Sequence, residues 1–159
     1  MKLPPSRIAA FLAKPDAAIR AALFYGADAG LVRERADRLA VAVAGDLKDA
    51  FRVTDLAAAA LAADPARLND EAAALSLTGG RRLLRVRDAG DGVGTLFERF
   101  LAAPPPGDSV TVVEAGELAQ RSSLRRAFES AGTAVAIACY SDDRRCLLYT
   151  SDAADDLTR

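Results

Sequence analysis

Two glycines and an aspartate meet in Phe24-Tyr-Gly-Ala-Asp-Ala-Gly-Leu31, where an apolar run passes into an amphipathic one. Gly26 and Gly30, at the start of a helix, have the types needed to cradle an anion, because the first amides of a helix point outward. A working phosphate loop also needs a lysine on the β and γ phosphates and a Ser or Thr on magnesium. Neither follows Gly30. Asp28 puts a carboxylate in the turn, where it repels phosphate, and Arg33 lies one helical turn further on. Gly26, Asp28 and Gly30 therefore read as a degenerate nucleotide-loop position: a tight turn with a capping aspartate.

The other groups with chemical potential are scattered. Glu114 ends an apolar run and Asp88 follows another, but no Asp-Glu pair stands after a strand to hold a metal and activate water. Asp88 and Asp91 are near each other without being adjacent, so capping and solvated charge are the expected roles of these carboxylates. With no histidine, the commonest general base and zinc ligand is missing. Cys139 and Cys146 form no metal or redox motif. No catalytic residue, metal site or cofactor is expected. Arginines cluster at Arg81-Arg82-Arg85-Arg87 and at Arg121, Arg125 and Arg126. Arg85 and Arg87 alternate with Leu84 and Val86, so on a strand they point to the opposite side. Without interleaved aromatics or tryptophan they make no base-stacking platform, and salt bridges are the default.

A last candidate is apolar. Leu75-Ser76-Leu77-Thr78 ends an apolar helical stretch and runs into Gly79-Gly80. Two leucines projecting from a helix tip are anchors for a partner's pocket. The plainer alternative is that both dock their own helix onto the sheet.

Such residues need a scaffold. The 159-residue chain suffices for one cored domain, and its 51% hydrophobic content excludes general disorder. A net charge of −1 demands neither nucleic acid nor a membrane partner. Arginine outnumbers lysine 18 to 3, a bias read as genomic composition. No run reaches the ~18 apolar residues of a membrane span, and Met-Lys-Leu-Pro-Pro-Ser-Arg lacks a signal-peptide core. A cytoplasmic location is expected. Caps and breakers predict helices over 6–13, 29–44 (capped by Asp28, stopped by Gly45), 64–76, 94–102 and from Ser122 or Ser123 to 130. Strands are predicted over 19–25, 51–54, 82–87, 109–114 and 134–140. This alternation predicts a three-layer α/β fold with a mostly parallel five-stranded sheet.

Several runs, in order, resemble one family. Tyr25-Gly-Ala-Asp-Ala-Gly-Leu31, the run from Asp64 to Gly90, Val113-Glu-Ala-Gly-Glu-Leu118, Arg121-Ser-Ser-Leu-Arg125 and Ala136-Ile-Ala-Cys-Tyr140 are similar to the delta subunit of the bacterial DNA polymerase III clamp loader. The resemblance spans about 5–143. It implies an AAA+ (P-loop NTPase-like) N-terminal domain without a functional P-loop, which takes part in DNA replication by binding the ring-shaped sliding clamp (the beta subunit) and helping to open it. Family members make that contact with a hydrophobic-Ser-Leu-Phe cluster, which falls here on Leu75, Ser76, Leu77 and Thr78, with Thr78 in place of the aromatic anchor. Any DNA-directed DNA polymerase or nucleotidyltransferase label would then belong to the holoenzyme by association, and DNA would be met only indirectly. The other loader subunits are joined through helical lid and collar domains that this chain does not reach. Residues 144–159 lack apolar periodicity and resemble translated adapter read-through, so they are expected to be non-native and dispensable. Two other functions remain open at this stage: a nucleotide-binding ATPase of the AAA+ class using the 26–30 turn, and a DNA-binding module using the arginine clusters.

Overall fold

The computed structural model describes residues 1–45, 47–48, 52–74, 81–104 and 109–140. Its centre is made by the most continuously apolar runs. β1 (Ala21–Tyr25) and β4 (Val110–Ala115) are buried along their whole length, as strands covered on both faces must be. With β2 (Val53–Ala57), β3 (Leu83–Ala89) and β5 (Ala134–Ala138) they form a five-stranded sheet in the order β2-β3-β4-β1-β5. All four pairings are parallel, so the three-layer α/β expectation holds.

Alternation along the strands divides the core in two. Ala22 and Phe24 face α1 (Pro5–Ala13) and α2 (Ala29–Ala44), packing with Leu12, Leu31, Leu39, Val112 and Ile137. Leu23 and Tyr25 face the other layer, made by α3 (Ala58–Ala63), α4 (Ala66–Ala73), α5 (Gly94–Ala102) and α6 (Ser123–Ser130). There Phe97 meets Phe100 edge-on at 6.1 Å and tilts against Phe128 at 5.5 Å. At the β5 edge, Lys2 forms a parallel bridge with Ala136, and the Leu3 amide donates to the Ala136 carbonyl at 3.1 Å, pairing part of an otherwise open edge.

Local signals explain most boundaries. Asp28 Oδ1 accepts from the Leu31 amide at 3.0 Å and caps α2, which stops at Gly45 with φ +80°. Of the two candidate serines, Ser122 caps α6, accepting from the Arg125 amide at 3.2 Å. Three segments depart from expectation. β2 occupies 53–57 rather than 51–54. The helix expected over 64–76 is described as α4, Ala66–Ala73, and a helix the sequence did not suggest, α3, precedes it and ends where Asp64 stands before Pro65 with a non-helical φ of −137°. β3 runs on to Ala89 through an irregularity between Val86 and Ala89, where Asp88 adopts φ +58°. Leu75–Thr78, the Gly79-Gly80 stop and the 144–159 tail lie outside the described residues.

Candidate functional site

The turn after β1 is closed by its own backbone. Gly26 has φ +148°, and a Cβ there would lie 2.1 Å from the Cys139 carbonyl oxygen. Only glycine permits this approach of β1 to the end of β5. The Gly26 amide donates to the Gly116 carbonyl at 3.1 Å and the Asp28 amide to the Cys139 carbonyl at 3.4 Å. The Leu31 amide is taken by Asp28 Oδ1 at 3.0 Å. Three amides of the turn, those of Gly26, Asp28 and Leu31, are thus already bonded within the protein. Gly30 has no comparable constraint: an added Cβ would meet only Asp28 Oδ1, at 3.5 Å. Where a phosphate loop continues with lysine and Ser/Thr after its last glycine, Leu31 and Val32 are buried in the α2 core at 3% and 4% exposure.

Beside this turn, Glu114 is neither a cap nor a solvated charge, which corrects the sequence expectation. Its side chain is 10% exposed, and it accepts from Arg85 Nη2 at 2.8 Å and from Arg33 Nε at 3.2 Å. Arg85 also donates to Asp37 on α2 at 2.6 Å. Burial alone lowers the Arg85 pKa, but the bonds to Asp37 and Glu114 outweigh it and hold the guanidinium above its ordinary value. Two carboxylates flanking its guanidinium are the partners that Arg85 needs in the middle of a covered sheet. Arg85 also neutralises Glu114, the carboxylate near the end of β4. Among the described residues no group of three or more His, Cys, Asp or Glu side chains is set to hold a metal.

Several other charges are paired within the fold. Arg82 donates to Thr54 and, at 3.3 Å, to Glu71, while Arg87 lies 3.6 Å from Asp55. Arg125 sits 4.9 Å above the Tyr25 ring, bonds Glu129 at 2.9 Å and donates to the Leu118 carbonyl at 3.1 Å. Burial raises the Tyr25 phenol pKa, with Arg125 opposing it. Asp91 accepts from the Ser122 hydroxyl and the Leu124 amide, and the Ser122 bond holds its carboxyl below the ordinary value. Asp91 is therefore a second cap on α6, as the capping expectation for the carboxylates had it.

The predicted contact residues Leu75, Ser76, Leu77 and Thr78 follow the end of α4. That helix stops at Ala73, and Ala74 is extended, with φ −68° and ψ 142°. Its last turn is tied to the sheet by two groups that the sequence left unremarked. The Ser109 hydroxyl donates to the Ala72 carbonyl at 2.8 Å, and Arg82 bridges to Glu71. A lone serine ahead of a strand carries no signal that it will meet a helix end 37 residues earlier.

The layered, all-parallel sheet with a closed first turn defines a three-layer α/β domain. Compared with solved structures, it is similar to the DNA clamp loader delta protein YqeN of Bacillus subtilis, with a TM-score of 0.62 and 21% identity over 85% of this chain. It is also similar to a DNA polymerase III gamma subunit-related protein from Thermotoga maritima, with a TM-score of 0.54 and 15% identity over 92% of this chain. The chain spans 42% of the first protein and 51% of the second. The fold is thus clamp-loader-like. No family pattern matches the sequence, and no curated protein matches it. Among the described residues, no helix is long and apolar enough to cross a membrane.

Proposed function

We propose that this chain is the clamp-contacting domain of a delta-type clamp-loader subunit, a non-catalytic part of the DNA polymerase III holoenzyme. The observation that carries the reading is the sealed turn at Gly26: an AAA+-like fold that has kept its architecture while its own backbone and the Arg33–Glu114–Arg85 network fill the place of nucleotide chemistry. The likeness to the Bacillus delta protein supports it.

On this reading the partners are the sliding clamp and, through domains beyond this one, the other loader subunits in the cytoplasm. The clamp is gripped by Leu75, Ser76, Leu77 and Thr78. Work on the clamp comes from differential affinity: a surface that fits an opened ring interface better than a closed one shifts the ring toward opening. ATP is bound and hydrolysed by other subunits.

The test is a pair of binding measurements on the same protein: surface plasmon resonance against a bacterial sliding clamp, and calorimetry with ATP and magnesium. Clamp binding without ATP binding is the expected result. Micromolar, magnesium-dependent ATP affinity overturns the reading in favour of an active nucleotide domain.

A further inference from the structure

The outer edge of β5 is bonded from within the chain. The Ala136 amide donates to the Met1 carbonyl at 2.8 Å, and the Ala136 carbonyl accepts from the Leu3 amide at 3.1 Å. Further along, the Ala138 carbonyl accepts from Arg35 at 2.7 Å. Beside this edge, one flank of α1 borders a groove of about 280 Å³. Ile8 and Leu12 of α1 are buried, whereas Phe11 is turned only partly into the core and lines the groove with Leu3 and Ile19. Arg7 and Lys14 also line it, four residues before Phe11 and three after, so α1 presents cation, ring and cation along one stripe. Both cations are exposed, and among the described residues neither side chain has a hydrogen-bond or ion-pair partner. Asp16, the acid among the lining residues, is engaged locally, accepting from the Ala18 amide at 2.9 Å.

We propose that this groove docks an acidic, extended segment of a partner protein, seating one large apolar side chain against Phe11 between carboxylates that pair with Arg7 and Lys14. Charge complementarity selects the occupant: two unpartnered cations flank an apolar floor. Seven residues of helix place the cations about 10 Å apart. That is close to the ~13 Å between residues i and i+4 of an extended chain, whose side chains at i, i+2 and i+4 point one way. Long arginine and lysine side chains span the difference. The fitting pattern is therefore acidic-x-apolar-x-acidic. Because the Ala136 amide and carbonyl are already bonded, recognition runs through side chains and not through a strand added to the sheet. A nucleic acid would use the cations but leave the apolar floor unfilled. The proposal does not rest on the clamp reading.

The experiment titrates the full chain into a fluorescein-labelled peptide, Gly-Glu-Ser-Phe-Ser-Glu-Gly, and follows fluorescence polarisation, with circular dichroism to establish folding of each variant. Companion peptides carry Gln for both Glu, or Ala for Phe, and a labelled oligothymidylate is the nucleic-acid probe. The variants are Arg7→Ala/Lys14→Ala, the reversal Arg7→Glu/Lys14→Glu, and Arg99→Ala/Arg126→Ala, which removes two exposed charges from the helices on the other side of the sheet. The expected result is saturable binding by wild type that weakens about five- to tenfold in Arg7→Ala/Lys14→Ala, the scale of two solvent-facing ion pairs. Charge reversal abolishes binding, Arg99→Ala/Arg126→Ala keeps wild-type affinity, and both companion peptides bind more weakly than the parent. The proposal is overturned if wild type shows no saturable binding, or if Arg7→Ala/Lys14→Ala binds as wild type does. It also falls if Arg99→Ala/Arg126→Ala weakens binding equally, or if the Ala peptide binds as tightly as the Phe peptide, since either result means attraction to charge alone. Oligothymidylate binding that needs Arg7 and Lys14 while the peptide fails to bind would assign the groove to nucleic acid instead.

Discussion

Arg85 on β3 donates to Glu114 on β4 at 2.8 Å, joining two neighbouring central strands through an ion pair buried beneath α2. The pair occupies the strand-end carboxylate that metal-dependent phosphate chemistry would need. Its strength follows from burial: Arg85 and Glu114 side chains are 5% and 10% exposed, whereas Arg33, the third member, is 54% exposed. Arg85→Ala leaves a buried carboxylate with only a solvent-facing partner and should cost about 3 kcal/mol, the lower end for a broken buried pair. Arg33→Ala should cost less than about 1 kcal/mol. Urea unfolding of the two variants measures the difference, and equal costs would contradict the assigned burial.

The two glycines of the first turn should part company. Gly26→Ala forces a Cβ onto the Cys139 carbonyl at an unfavourable φ and should destabilise on the order of 3 kcal/mol or more. Gly30→Ala sits in the first turn of α2 with room for its methyl group, so it should stabilise by about 0.5–1 kcal/mol. Thermal denaturation reads both. Equal effects of the two substitutions would contradict the close approach of Gly26 to the Cys139 carbonyl.

These glycines also mark how far the sequence could be read. Asp28, Gly45, Ser122 and the Ser109-to-Glu114 run carry local signals, and α2, α6 and β4 fell close to where those signals put them. Ala58–Ala63 carries only one large apolar residue, Leu61, so nothing announced α3. The Arg85–Glu114 pair and the Ser109–Ala72 bond join residues 29 and 37 positions apart. They depend on strand order and register, which periodicity does not supply.

Acid should act through Asp91. Its folded-state pKa lies below the ordinary 3.8, chiefly through the Ser122 hydroxyl. Its contribution is therefore complete above about pH 5, where the unfolded carboxyl is almost fully ionised, and is lost as pH falls through the folded value. Asp91→Asn should be less stable than wild type at neutral pH and lose less on acidification below pH 4. Melting temperatures from pH 7 to pH 2.5 measure this, and parallel curves would remove Asp91 from the account.

On the proposed clamp reading, Thr78 takes the aromatic anchor position and offers a gain of function. Thr78 presents less apolar surface than phenylalanine, so Thr78→Phe should tighten clamp binding if the partner's pocket takes a hydrophobic-Ser-Leu-Phe cluster. An unchanged or weakened affinity would mean that the pocket does not receive position 78.

The central claim is tested most directly by the affinity of Leu75→Ala/Leu77→Ala for the cognate sliding clamp, measured by surface plasmon resonance on protein shown by circular dichroism to be folded. Burying a leucine in a partner pocket is worth about 1.5–3 kcal/mol, and 1.4 kcal/mol is about tenfold in affinity. The account predicts binding weaker by on the order of a hundredfold or more. A folded double variant that binds as tightly as wild type would contradict it.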